Sequence, residues 1–320
     1  MNSVAQSATQ CQLAQHPLPL PQGKELHMLQ ALANGLVQGI LFSVLSVAFS
    51  LVFATTRVFY IALGAIYAFA PYVLLTAMHH GLHWSLGLII SIALCAGLSI
   101  LCEEGIHWPF ERKQAPGTVH FIGSLGAFLV IVQTISLIWG NDSQVLRGGI
   151  DKVYVLGGMR LTQSQLVGGI VAVIALAAFF VWMRKSRTGL KFRALADSPP
   201  LLAVFGLDVR RLRRVAFGLS GALTALVAIL AAADVGFDPY VGMSAVLVSV
   251  AAAILGGTSS FAGAAVAGLL LGLLRAQIAW HASSQWEDAV TFAVLALCLF
   301  FLPGGLRSLV TQRKRLEASA

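Results

Sequence analysis

Charge is scarce in this chain of 320 residues: Asp, Glu, Lys and Arg make up 11% of it, where a soluble globular domain carries about a quarter. Hydrophobic residues make up 58%, and the mean hydropathy is +0.82. A water-soluble fold is excluded, since too few polar residues remain to cover so much apolar surface. Intrinsic disorder needs low hydrophobicity and high charge and fails on the same numbers. Cysteine is sparse too, four residues in all, so a disulfide scaffold is excluded. Cys95, Cys102 and Cys298 lie in or at the ends of apolar runs and Cys11 in a polar stretch, without metal-ligand or redox spacing, and they read as reduced packing residues. Catalytic signatures are missing: there is no G-x-x-x-x-G-K-[ST] loop, no H-E-x-x-H, no G-x-S-x-G elbow and no pair of acids in mid-run. ATPase or intramembrane hydrolase chemistry has no residues to carry it, and no cofactor is called for. Without buried carboxylates, a proton- or sodium-coupled carrier also lacks its usual ion site.

What the chain does contain is a succession of apolar runs, each near the roughly 20 residues that a helix needs to cross a bilayer. They cover about 28–54, 58–78, 84–102, 121–139, 165–183, 215–233, 240–255, 262–280 and 289–302. The sequence therefore predicts an all-α, polytopic transmembrane helical bundle of eight or nine hydrophobic segments, some short or broken. Residues 1–27 read as a polar, disordered tail, 28–306 as the membrane domain, and 307–320 as a basic cytoplasmic tail. The apolar pattern starts at Met28, which makes that methionine an alternative start. With the amino terminus outside and the carboxyl terminus in the cytoplasm, sixteen Lys and Arg fall in inside loops and four in outside loops. Basic residues favour the cytoplasmic side, so the net charge of +8 is explained by topology and nucleic acid is not expected as a partner.

Polar side chains inside the runs mark a candidate path for a small, net-neutral solute: Asn34 and Gln38 with Ser43, Ser46 and Ser50 in the first, Ser124, Gln133 and Thr134 in the fourth. Each of these groups also suits simple helix-to-helix adhesion, as do Gly35-x-x-x-Gly39 and Gly268-x-x-x-Gly272. The break at Gly256, Gly257, Thr258, Ser259 and Ser260 is a different signal. The run before it is 16 residues, about 24 Å long at 1.5 Å per residue, and Gly-interrupted short segments in transporters point to the permeation path. His79, His80 and His83 beside Trp84 read as an interfacial belt rather than a metal site, for no acid or cysteine accompanies them.

The loop 184–214 is the most informative polar piece. Ser198 as N-cap, Pro199 in the first turn and Gly206 past the end predict a short helix carrying Leu201, Leu202, Val204 and Phe205. So short an apolar helix is not stable alone, and it needs either a protein partner or the anionic lipid surface to cover it.

The segments from Arg187 to Asp197, Ala203 to Leu207 and Arg214 to Leu223 resemble the signature region of the inner-membrane permeases of ABC-type branched-chain amino acid (Leu/Ile/Val) importers. The resemblance continues through Asp238 to Gly242, Leu255 to Gly257, Ala262 to Ala264 and Pro303 to Leu306, and includes Asn34 to Leu36 and Gly64-Ala65. It implies a bacterial inner-membrane complex of two homologous permeases, expected as a heterodimer, two cytoplasmic ATPase subunits and a periplasmic solute-binding protein. The loop would then supply a coupling surface to the ATPase through Arg193, Ala194, Asp197, Leu201, Leu202, Phe205, Gly206 and Leu207. The candidate path residues become Asn34, Gln38, Tyr60, Gly64, Ser124, Gln133, Gly256, Gly257 and Thr258.

This chain departs from the family in three places. Tyr60-Ile61-Ala62-Leu63-Gly64 replaces the usual Asn-Phe-Ala-His-Gly, Arg275 stands where an acid is common, and Pro199-Pro200 is unusual in the coupling segment. A branched-chain amino acid is the first expectation for the solute, with urea, short amides or another small organic solute as alternatives. A channel or secondary carrier acting alone is the competing class.

Overall fold

The computed structural model describes residues 24–146, 152–156, 159–197, 208–257, 260–281 and 285–301. Its elements are α1 (Lys24–Thr56), α2 (Ala62–His79), α3 (Trp84–Cys102), a π turn (Glu103–His107), α4 (Trp108–Arg112), α5 (Gly117–Trp139), β1 (Val153–Leu156), β2 (Met159–Thr162), α6 (Gln163–Lys185), α7 (Arg187–Asp197), α8 (Val209–Val235), α9 (Val241–Gly256), α10 (Phe261–His281) and α11 (Trp286–Phe301). All nine apolar runs become helices. Seven helices are long and apolar enough to cross a membrane, with α3 to α4 forming one of them, and α9 is a shorter apolar helix. The chain is thus a polytopic helical bundle, as its apolar pattern predicts. The polar tails foreseen at 1–27 and 307–320 lie largely outside the described residues; Lys24 to His27 belong to α1.

α1, α2 and α8 are the most enclosed spans, while α3, α5 and α6 turn most of their surface outward. Apolar contact alone does not drive association in lipid, so helices adhere through close backbone approach and polar contacts. The two small-residue motifs meet each other in this way. A Cβ added to Gly35 would lie 2.7 Å from the Ala276 Cβ, and one added to Gly268 would lie 2.8 Å from the Phe42 carbonyl oxygen. Just beyond the second point the Ser43 hydroxyl donates to the Ala265 carbonyl at 2.7 Å.

α2 begins inside the bundle. Tyr60, two residues before it, lies 3.2 Å from Ser99, near the middle of the α3 to α4 rod. A helix start away from water needs acceptors for its free N–H groups, and the Ser124 hydroxyl accepts from the Ala62 amide at 3.0 Å. α9 begins against the same place, for Gly242 packs on the backbone of Gly64 with no room for a Cβ at either residue.

Two features escaped the sequence reading. Residues 153–162 form an antiparallel hairpin, with Val153 opposite Thr162 and Leu156 opposite Met159. Two short apolar runs flanking Gly157-Gly158 are its signature, and Thr162 closes it by opening α6 with a capping box to Gln165. The expectation that no carboxylate is buried among the helices needs correction: Glu103, at the foot of α3, is 2% exposed and faces Arg213 of α8. Sequence separation hid the pair, since its members are 110 positions apart.

Candidate functional site

Among the cavities that the described residues form, two adjoining ones open at the end of the bundle that carries the hairpin. The larger, about 310 Å³, lies among α1, α2, α8 and α9 and is walled mainly by aliphatic groups such as Val37, Leu41 and Val227. Its charged lining is Asp234 at the end of α8, Arg275 of α10 and Glu287 of α11. The smaller, about 290 Å³, is lined by Gln30, Asn34 and Gln38, one turn apart on α1, and again by Glu287. Spacing of four residues puts these three amides on one helical face.

Each charged group has an identifiable anchor. Arg275, 8% exposed, reaches Glu287 at 3.0 Å, Asp288 at 2.7 Å and the Thr291 hydroxyl at 3.3 Å, tying α10 to the first turn of α11. A buried guanidinium is tolerable only with such partners. Its place inside a span, which the sequence left unexplained, is therefore settled by acids 12 and 13 positions later, in the first turn of α11. Asp234 accepts from the Thr162 hydroxyl and from the Gln165 amide, each at 3.2 Å, joining α8 to the start of α6. Gln30 is held by the hairpin, donating to the Arg160 carbonyl and accepting from the Arg160 amide, both at 2.7 Å. It also donates to Asn34 at 3.2 Å. An aliphatic chamber with one guanidinium and two carboxylates on its wall suits a small solute with an apolar body and a charged amino group.

The predicted path residues divide by position. Asn34 and Gln38 line the cavities. Tyr60 is fully buried, edge-on to Phe217 with ring centroids 4.7 Å apart. Ser124 is occupied in capping α2, and Gly64 is pressed against Gly242. Gln133 is exposed on the outer face of α5. Gly256 meets Gly263 where α9 crosses α10, and Gly257 takes φ +95°, a left-handed conformation that favours glycine. Thr258 lies outside the described residues.

At the opposite end, the chain leaves α6 through a tight corner into α7, an amphipathic helix absent from the sequence reading. The Ser186 hydroxyl accepts from the Thr188 amide at 3.1 Å and starts it. Phe192 and Leu195 are fully buried, while Arg193 and Ala194 on the other face are exposed. The Gly189, Phe192, Leu195 spacing was the available signal. Asp197 closes α7; Leu201, Leu202, Phe205, Gly206 and Leu207, and with them the expected short helix, lie outside the described residues. The chain returns at Asp208, whose carboxylate accepts from the Arg211 amide at 3.1 Å and caps α8. The first turns of α8 then bind the foot of α3: Arg213 pairs with Glu103 and, at 3.1 Å, with Glu111, and Arg214 pairs with Glu104 at 3.0 Å. The segment next to the loop is thereby fastened to a second helix.

Comparison with known proteins agrees over most of the chain. A family model described as branched-chain amino acid transport system / permease component matches residues 31–299. The high-affinity branched-chain amino acid transport system permease protein LivH of Salmonella typhimurium is 26% identical over 297 residues, covering 88% of this chain and 96% of that protein. The corresponding BraD protein of Pseudomonas aeruginosa is 24% identical over 293 residues, 88% and 95% of the two chains. Among solved structures, PsaBC from Streptococcus pneumoniae in complex with Fab matches with a TM-score of 0.51 at 15% identity. It covers 87% of this chain and 93% of that chain, which is a likeness of fold.

Proposed function

Since the chain belongs to the family of branched-chain amino acid transport system permease components, we propose that it is the membrane-spanning permease subunit of an ATP-driven importer that carries a branched-chain amino acid inward. The observation that supports this solute is the chamber itself, in which aliphatic walls can receive the side chain while Asp234, Arg275 and Glu287 present opposite charges to its amino and carboxyl groups. In this reading the hairpin end faces the periplasm, a solute-binding protein delivers its load there, and the carboxyl terminus is cytoplasmic. Asn34 and Gln38 form the polar mouth. The close approaches at Gly64 and Gly256, the latter followed by the left-handed Gly257, are joints about which helices shift, with Tyr60 and Ser124 fixing the first of them, and Thr258 remains a proposed path residue. Gln133, on an outward face, would meet lipid or a second, homologous permease.

ATP hydrolysis belongs to two separate cytoplasmic subunits. Arg193 and Ala194, with the segment 197–207, form the surface they touch, and the Arg213 and Arg214 pairs pass its movement to α3. A nucleotide-driven change can favour one permease state only through such a differential contact. The test is purification of the tagged chain from its native membrane. Recovery of an ATPase and a second permease in fixed stoichiometry supports the proposal, and uptake by this chain alone in liposomes contradicts it.

A further inference from the structure

Among the described residues, Gln38 of α1 and Glu287 of α11 alone line both cavities. They stand where the chambers adjoin, so a solute moving from one to the other passes between an amide and a carboxylate. Glu287 does not choose its own position. Arg275 holds one of its oxygens at 3.0 Å, and the Thr291 hydroxyl binds its backbone carbonyl at 2.6 Å. Arg275 is itself nearly buried and needs Glu287 less than the reverse, because Asp288 already pairs with it at 2.7 Å. The two acids against one guanidinium leave this cluster with an excess of negative charge. Asp234 adds a further carboxylate to the larger chamber. Among the described residues the Gln38 amide has no hydrogen-bond partner, and it is exposed, so its donor and acceptor are both free for a passing ligand.

We infer that Gln38 and Glu287 form a charge-selective constriction between the two chambers, admitting solutes that present an ammonium or amide N–H and retarding anions. Arg275 is a positioning residue that keeps the Glu287 carboxylate on the passage. The free carboxylate lone pairs accept from the solute's N–H groups, and an anion meets like charge at this shared wall. This inference rests on the proposed permeation route through the hairpin end.

The test reads local charge directly and does not depend on transport. The assembled importer carrying Gln38→Cys is placed in liposomes, with the parent complex as background control. It is then treated from outside with cationic (trimethylammonium-ethyl) and anionic (sulfonato-ethyl) methanethiosulfonates. Relative to a small free thiol, the cationic reagent should be favoured on the order of tenfold, as one unit charge at contact range implies. Adding Glu287→Gln should abolish the preference, and Glu287→Asp should retain most of it. If Glu287→Gln prevents assembly, the single variant decides by salt, because raising ionic strength from about 10 mM to about 1 M shortens screening from roughly 30 to 3 Å and should erase the preference. Equal rates for both reagents, a preference that survives Glu287→Gln in an assembled complex or high salt, or no labelling of the Gln38→Cys complex at all would overturn the inference. Uptake of radiolabelled leucine by the unsubstituted importer is measured in parallel. Charge-selective labelling without leucine uptake would leave the constriction standing and remove the solute assignment.

Discussion

Gly39 of α1 and Gly272 of α10 stand backbone against backbone, so that a Cβ built on Gly272 would overlap the Gly39 main chain. Neither helix can yield cheaply, since the same seam is pinned at Gly35 and Gly268 on either side. Gly272→Ala should therefore lower the stability of the permease by roughly 1–3 kcal/mol, the usual range for overpacking. Gly126→Ala, where a Cβ meets nothing within 4 Å, should be close to neutral. Thermal unfolding in detergent, followed by size exclusion, measures both, and equal midpoints for the two variants would dismiss the seam as a source of stability.

Arg213→Met leaves Glu103 buried without its guanidinium and should cost about 3–5 kcal/mol. Methionine with Glu103→Gln removes the unpaired charge as well, so the double variant should be more stable than Arg213→Met alone. Denaturation of the four members of this cycle gives the coupling. A double variant no better than the single one would mean that the two side chains act independently.

Gly257 at φ +95° and Gly256 against Gly263 make the turn between α9 and α10 a packing constraint as much as a feature of the permeation path. Gly257→Leu should reduce the yield of assembled complex at least several-fold through backbone strain, which costs on the order of 1–3 kcal/mol at such positions. Quantifying complex per cell and uptake per complex separates the effects. Normal assembly with impaired uptake would instead make the glycines a lining of the path.

Much of the bundle was legible because a bilayer leaves so few options. Apolar length alone is enough to place nine helices within one or two turns of their observed ends. The seam between α1 and α10 was legible as two motifs, though not as a pair, since periodicity within one helix says nothing about which helix faces it. Asn34 and Gln38, which line cavities, were legible as polar groups because amides spaced four apart are conspicuous in an apolar run. Glu287 and Asp234 were missed because acids near the ends of helices look like ordinary interfacial charges until folding turns them toward Arg275 and the start of α6. Glu103 escaped for the same reason.

Orientation is open to direct chemical test. Single cysteines at Ser186 and Thr311 should be shielded from an impermeant thiol reagent added outside intact cells, whereas one at Ser143, in the segment preceding the hairpin, should react. Outside labelling at position 186 would invert the bundle and take the ATPase contact away from α7.

The coupling of this chain to ATP is tested most directly by reconstitution. The purified chain is placed in liposomes alone, and with its co-purified permease and ATPase subunits, with ATP enclosed on the ATPase side and loaded binding protein on the other. Accumulation of radiolabelled leucine is expected only in the complete assembly, only with hydrolysable ATP, and is expected to be lost with Phe205→Asp as the ATPase dissociates. Leucine accumulation by the chain alone, or undiminished ATP-driven uptake with Phe205→Asp in place, would contradict an importer driven through the loop between α7 and α8.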